Sequence, residues 1–371
     1  MSMEEAFALA EAEAKLKQAI AAGKTRFDNA EVPNRYNEDW RFGRPNKHAT
    51  ALAEILQSDI PSRGEPSVIG AGESAMPVSR DDDDLRQTEM LMPSIGSDAL
   101  LGMHLKRFGD GYALFIEEST DAPIHIYYHT NTLYTPSTYI MVAPGVKAEV
   151  IEHHTADSAE ATLFATRNIH VAEGSELSVA LYCSGFARYM CITDIQNMGG
   201  KVNHFTTYEN IKWAREETIA EIYGATDSTC NNLYSANRLE DDCILDQHTR
   251  QIHHVGNAAS DLLYKNVVDN NATAIFAGNI YVVHGAHHTD AYQSNRNMLL
   301  SEKATVHSLP GLEILADKVR CSHGSASAPM NDEQLFYLSS RGIPRREAQL
   351  LVAEGFLADA VNKFRGISQS S

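Results

Sequence analysis

Two stretches, Val142-Ala143-Pro144-Gly145-Val146-Lys147-Ala148-Glu149-Val150 and Val171-Ala172-Glu173-Gly174-Ser175-Glu176-Leu177-Ser178-Val179, can be laid over each other residue for residue. Apolar side chains coincide at 142/171, 148/177 and 150/179, and the glycines coincide at 145/174. Val268 to Phe276 has the same form, with Asn271 in the place of glycine and with Ala274 and Phe276 apolar. Asparagine tolerates positive φ better than most residues, so the exchange is physically sensible. Each unit reads as strand, tight turn, strand. One such unit cannot bury its apolar face, but stacked coils can, which is the logic of a β-solenoid. An antiparallel sandwich or barrel is the competing arrangement; the repeat favours the solenoid.

From about residue 100 to 320, runs rich in Val, Ile, Tyr and Thr alternate with Gly, Asn, Asp and Pro, as expected of many short strands. The flanks differ, so three regions are expected: 1–97 helical with a linker, 98–328 the β core, and 329–371 a helical hairpin. Glu4 to Ala22 consists of strong helix formers, closed by Gly23. Lys47 to Gln57 should form a short helix with Ala51, Leu52, Ile55 and Leu56 on one face. Residues 58–97 read as a linker or long surface loop, with a solvated acidic run from Asp81 to Asp84. Asn331 can cap a helix over Asp332–Arg341, with Gln334 completing a capping-box pattern. Gly342 ends it, Pro344 opens a second helix, and Ala348, Leu351, Val352, Ala353, Phe356 and Ala360 form its apolar stripe.

The 371 residues carry 31 basic and 49 acidic side chains, a net charge of −18. That balance argues against nucleic acid, which needs a basic face, and against anionic membrane surfaces. No stretch approaches the ~18 apolar residues of a membrane span, and the acidic N-terminus lacks a signal-peptide pattern, so a cytoplasmic location is expected. The five cysteines, 183, 191, 230, 243 and 321, contain no CxxC pair, which disfavours a disulfide framework or zinc finger. Cys183, Cys191, Cys230 and Cys243 should pack as small apolar residues.

Of the 16 histidines, the densest group is His284-Gly285-Ala286-His287-His288, followed by Asp290. If that stretch is a strand, His287 and His288 point opposite ways and cannot easily share an ion. The ligand order of a cupin-type metalloenzyme is not found. In His153-His154 and His253-His254 one member of each pair should face out. No nucleophile elbow, phosphate loop or dinucleotide fingerprint is present, so ATP hydrolysis by this chain is not expected.

Cys321-Ser322-His323-Gly324 stands at the junction of the β core and the helices. A thiol and an imidazole two residues apart share a face in extended backbone. The two ligand types suit iron–sulfur chemistry or zinc. Two ligands do not complete a site, and on spacing alone a structural pair is the better reading.

The longer motifs shift that balance. Pro310 to Gly324, Asp332 to Ile343 and Asp290 to Ser301 resemble the SufB/SufD family of iron–sulfur cluster assembly proteins, and Glu38-Asp39-Trp40-Arg41-Phe42 resembles an E-x-W-R/K-aromatic element of its SufD branch. The Cys-Ser-His-Gly form is more similar to SufD than to SufB. The resemblance implies a mainly β protein, a right-handed parallel β-helix flanked by N- and C-terminal helical regions. It implies a non-catalytic subunit of a SufB–SufC–SufD scaffold, with SufC supplying the ATPase, and a homodimer when isolated. It also implies that His323 lies at the SufB–SufD interface, where a transient iron–sulfur cluster forms with a SufB cysteine. Cys321 matches a neighbouring SufD cysteine, and Leu335, Phe336, Tyr337 and Arg341 match the region that docks SufC. ATP binding by SufC would then shift the hairpin and open the interface. Ser325-Ala326-Ser327-Ala328-Pro329-Met330 departs from the family's usual continuation after the motif. Whether a flavin binds is left open by the residues. Two readings from other classes are a metal-dependent, cupin-like all-β enzyme using His284–His288, and a carbohydrate-active β-helix whose paired carboxylates are not identifiable.

Overall fold

The computed structural model describes residues 21–366 apart from 23–24, 35, 63, 80–91 and 108–109. The expected helix Glu4–Ala22, except for its last two residues, and the acidic run Asp81–Asp84 lie outside the described residues. The chain folds as a β-solenoid with helices toward both termini. Among the described residues one wall has nine strands, β1 (Glu65–Ile69), β4 (Ile124–His129), β7 (Lys147–Thr155), β9 (Glu176–Ser184), β11 (Lys201–Glu209), β13 (Cys230–Leu239), β15 (Ala259–Val268), β17 (Asp290–Leu299) and β19 (Arg320–Pro329), in that spatial order. The other has β2 (Ala75–Ser79), β3 (Asp110–Ile116), β6 (Ser137–Val142), β8 (Thr162–Val171), β10 (Arg188–Asn197), β12 (Trp213–Ile222), β14 (Ile244–His253), β16 (Thr273–Val282) and β18 (Thr305–Ile314), with β5 (Leu133–Tyr134) beside β8.

The repeat is the register. Val142 lies beside Val171, Ala148 beside Leu177 and Val150 beside Val179. Gly145 and Gly174 take φ of 74° and 69°, the left-handed turn that glycine allows without a Cβ penalty. The third unit has the same form at the other corner. It leads from β15 in the nine-stranded wall to β16 in the ten-stranded one, whereas β6–β7 and β8–β9 run the opposite way. Its left-handed residue is Asn270, with φ of 51°, and not Asn271. Asn271 instead donates its backbone N–H to the Asp241 carbonyl one coil below, and Asn270 stacks on Asp241, itself at φ 57°.

Inward residues form one continuous core. Val150, Leu163, Leu177, Val179, Val202, Leu233, Leu262 and Phe276 are all part of it, and Cys183, Cys191 and Cys243 pack there as small apolar groups. Cys230 is half-buried. Polar residues also face inward: Arg167 pairs with Glu152 at 2.7 Å with both side chains fully enclosed. Burial pushes the Glu152 carboxyl up, but Arg167 and His154 outweigh it and hold it at about 2. His154 and His253 are buried while His153 and His254 sit half-exposed, so each pair splits across its wall as expected.

Outer faces of the middle strands are buried too, because helices cover them. The helix α1 (Pro45–Gln57) and the helix α2 (Asp98–Arg107) set Leu52, Leu56, Leu100 and Leu101 on Phe164, Met190, Ile192 and Trp213 of the ten-stranded wall. Ala49 and Ala53, rather than Ala51, complete the buried face of α1. At the other end of the chain come α3 (Asp332–Ser340) and α4 (Arg345–Phe364). Ala360 of α4 sits among Ala180, Phe205, Tyr234 and Leu263 of the nine-stranded wall, and the Lys265 ammonium reaches Asp359 at 2.7 Å. The buried face of α4 is Ala348, Ala353 and Ala360; Leu351, expected in the stripe, is 50% exposed. Small side chains bring the helix close to the wall. Asn331 caps α3 by accepting from the Glu333 N–H at 2.8 Å.

Part of the stretch read as a linker is ordered strand. β1 pairs antiparallel with β4, and β2 pairs antiparallel with β3, so the two fold back over the first coil.

Candidate functional site

The two walls end together at β18 and β19, and no described strand pairs with the outer edge of either. Residues 321–329 of β19, Cys-Ser-His-Gly-Ser-Ala-Ser-Ala-Pro, carry no Asp, Glu, Lys or Arg. An edge without charge is a template for another strand, because its unpaired N–H and C=O groups have nothing to keep a partner away. β18 is interrupted by Pro310, which lacks a donor. The uninterrupted edge is therefore β19. Leu309, Ile314 and Leu315 add exposed apolar surface at this end.

Register places the motif residues. Cys321 lies beside Ala291, His323 beside Gln293, Ser325 beside Asn295 and Ser327 beside Asn297. Their β17 partners are buried on the inner side, so Cys321 and His323 share the inner face of the last strand, as extended spacing requires. Cys321 packs beside Ile280, Val282 and Ala291. Burial pushes its thiol up, with a backbone hydrogen bond from Ala291 opposing, so it is a neutral thiol at pH 7. His323 is exposed.

Sequence reading missed three sets of polar neighbours. Gln293 is buried, donates from Nε2 to the Gly278 carbonyl at 3.2 Å, and keeps Oε1 without a hydrogen-bond partner. Ser325 donates to Ser308 at 2.8 Å, and Ser308 donates to Asn295 Oδ1 at 2.9 Å. An amide ladder from Asn237 through Asn266 and Asn297 reaches Ser327, with successive distances of 2.9, 2.9 and 3.2 Å. Gln293, Asn295 and Asn297 alternate in sequence, as do Ser325 and Ser327, but only the register shows that they face a common interior. Among the described residues no three His, Cys, Asp or Glu side chains are grouped to hold a metal ion. Cys321 and His323 therefore offer two donors, a thiol and an imidazole.

His284–His288 is a turn between β16 and β17, not a strand. His288 takes φ of 62° and donates its backbone N–H to the Lys318 carbonyl, and His287 Nδ1 lies 3.0 Å from the Asp317 carbonyl. These histidines thus hydrogen-bond to the turn one coil above, and the geometry gives the metalloenzyme reading no support. On the helical hairpin, Phe336 and Tyr337 are 76% and 58% exposed, and the Arg341 guanidinium lies 5.4 Å over the Tyr337 ring. Leu335, expected on the same docking face, is only 2% exposed. It packs with Val267, Met330, Ala348 and Ala353, which leaves it no surface to offer a partner.

Residues 125–356, from β4 through most of α4, match the family model described as SUF system FeS cluster assembly, SufBD core domain. The chain belongs to the SufBD core family. It is 38% identical over 122 residues to the iron–sulfur cluster assembly protein SufD of Escherichia coli K12, covering 33% of this chain and 29% of that protein. Over 116 residues it is 41% identical to SufD of Bacillus subtilis, covering 31% and 26%. A SufBD family protein of Synechocystis matches at 35% over 120 residues, covering 32% and 26%. These matches span less than a third of the length of the curated relatives.

The Glu38–Phe42 element lies outside the matched core, yet it is built into this SufBD chain. Trp40 is fully buried, stacks at 6.1 Å on Trp213 and lies under the Arg215 guanidinium at 4.0 Å. Phe42 stacks on His307 of β18 at 4.1 Å. Arg215 pairs with Glu217 and Asp246 at 2.7 and 2.8 Å and donates to the Asp39 and Ile95 carbonyls. Glu217 in turn accepts from the Ile95 N–H and the Ser97 hydroxyl. One buried ionic cluster thus clamps the segments on both sides of the β1–β2 cap. No helix among the described residues is long and apolar enough to cross a membrane.

Proposed function

We propose that this chain is a SufD-like, non-catalytic subunit of a scaffold that builds iron–sulfur clusters. The observation that carries the reading is the uncharged, unpaired edge of β19, with Cys321 and His323 on its inner face. A SufB-like chain joins this edge, and a second copy of this chain takes the same place when the subunit is isolated. The nascent cluster is cargo, held at the joint by His323 and Cys321 together with ligands of the partner. A thiol and an imidazole about 6–7 Å apart along a strand cannot close a coordination set alone.

The hairpin, roughly residues 329–371, docks a SufC-like ATPase through Phe336, Tyr337 and Arg341. Its anchors to the nine-stranded wall, Lys265–Asp359 and Lys363–Asp261, would carry a shift of the hairpin into the β core of 98–328, while β1 and β2 cover the first coil at the far end. All five cysteines are free thiols, which suits the reducing cytoplasm.

The test is co-purification with SufB-like and SufC-like partners, followed by cluster assembly in solution. His323→Ala should leave the complex intact and lower the rate of cluster formation at least tenfold, read by visible absorbance. Unchanged assembly removes His323 from the mechanism. A chain that joins neither partner overturns the scaffold reading.

A further inference from the structure

Between α1 and one corner of the solenoid runs a groove of about 1150 Å³. Its floor is made of four successive turns of that corner, contributing Asn131–Leu133, Ser158–Thr162, Ala187–Arg188 and Asn210–Lys212, and it continues to Arg238–Ile244. The groove could hold a molecule the size of a nucleotide. None of the scaffold residues lies in it.

Its charge is unexpected. The chain carries −18, with 49 acidic side chains available for pairing. Yet Arg44, Lys47 and Arg188 converge on this groove, and among the described residues no ion pair or hydrogen bond engages the side chain of any of the three. The lining holds five cations, Lys212 and Arg238 among them, against the four carboxylates Glu160, Glu240, Asp241 and Asp242. Glu240 pairs with Arg238, whereas Asp241 and Asp242 accept from the neutral amides of Asn270 and Asn271 and keep their charge, so the excess is local: Lys47, Arg188 and Arg44 gather around His48. A cleft with an excess of one sign and low-dielectric walls concentrates the opposite charge.

His48, in the first turn of α1, gives a second and independent observation. It is 8% exposed, lines the groove, stacks on Trp213 at 5.2 Å, and its Nε2 is buried without a hydrogen-bond partner. A buried polar atom left unpaired costs free energy unless a ligand satisfies it. Burial, and then the neighbouring Lys47, Arg188 and Arg44, push its pKa down to about 4, so the ring is neutral at pH 7 and can donate one N–H. Arg44 itself holds φ of 51°, a left-handed conformation rare outside glycine and asparagine.

We propose that this groove binds a phosphate-bearing small molecule, with Arg44, Lys47 and Arg188 holding the phosphate oxygens and His48 donating from Nε2. Arginine suits phosphate because its fork donates two parallel hydrogen bonds, and lysine adds a point charge. The inference stands apart from the scaffold reading and does not depend on it.

The test is calorimetric titration of the full chain with pyrophosphate and, separately, with ADP. Binding of at least one is expected at micromolar to low millimolar concentration. Arg188→Ala and Lys47→Ala should each weaken it about tenfold, the size of one charge-assisted hydrogen bond. His48→Phe, which keeps the stack on Trp213, should weaken it less while thermal stability is preserved. Lys147→Ala, at the opposite corner, should change nothing. ADP binding well above pyrophosphate identifies a nucleotide as the source of the phosphate; equal binding identifies the phosphate group alone. No binding of either probe at 10 mM, or equal weakening by Lys147→Ala and Arg188→Ala, overturns the proposal.

Discussion

At the N-terminal end of the solenoid β1 and β2 turn back and pair antiparallel with β4 and β3, and each carries a proline, Pro66 and Pro77. At the C-terminal end no described strand pairs with the outer edges of β18 and β19, and β19 has neither charge nor proline from Cys321 to Ala328. Every open stack of strands has two edges, and each is a hazard unless it is blocked or used. Reversed strands with prolines terminate a ladder. A long neutral edge continues one. One end is thus finished within the chain, and on the proposed function a partner would finish the other, where the thiol and imidazole lie.

The largest expected effect comes from breaking that asymmetry. Leu309→Lys together with Ala326→Lys puts charge on the open end and should weaken association with a SufB-like chain by about 100-fold or more, because like or unpaired charges at an interface cost several kcal/mol. Met76→Lys, the same charge on β2, should leave association unchanged. Sedimentation velocity reads both.

Arg215→Met tests how the finished end is held. It leaves Glu217 and Asp246 buried without their cation, which costs about 3–5 kcal/mol. Because Arg215 grips the backbone at Asp39 and Ile95, the loss should appear in denaturant unfolding and as early detachment of residues 65–79.

Asp194 sharpens the account of the middle coils. Burial raises its carboxyl to about 7, with Glu221 adding to the rise against a hydrogen bond from Gln196. The unfolded carboxyl titrates near 4. Between the two values the unfolded state has lost its proton and the folded state has kept it. Stability therefore falls as pH rises from about 4 to 7, and no further above that. Asp194→Asn should remove this fall, giving a gain on the order of 4 kcal/mol at pH 8 and none at pH 4. Gly174→Ala, at φ 69° with open space around it, should cost only about 1 kcal/mol, from backbone strain alone.

The coil register was legible in the sequence because Gly145 and Gly174 mark the turn and the valines mark the inward positions on either side. The corner was not: both corners use strand, turn, strand, so Val268–Phe276 looks the same although it joins the walls in the opposite direction. The cap over the first coil was hidden by composition, since Pro66, Pro77, Gly70 and Gly72 read as loop residues whether or not they flank or interrupt edge strands. Helix phase failed at Leu335 and Leu351, where packing on Val267 and on the small face of α4 decided what was buried. At the open end the shared face of Cys321 and His323 followed from extended spacing alone. That β19 is the last strand of its wall did not, and neither did Gln293 with its unpaired Oε1, because both depend on which strand lies beside which. The cations of the groove are farther still from any motif: Arg44 and Arg188 meet only through the fold.

Hydrogen exchange of the two ends, measured on the diluted chain and then with a SufB-like partner, tests the central claim most directly. The account predicts fast exchange over residues 305–329 in the isolated chain, strong protection there on complex formation, and no change over residues 65–79. Protection at 65–79 instead, or none at 305–329 in a complex that has formed, would contradict it.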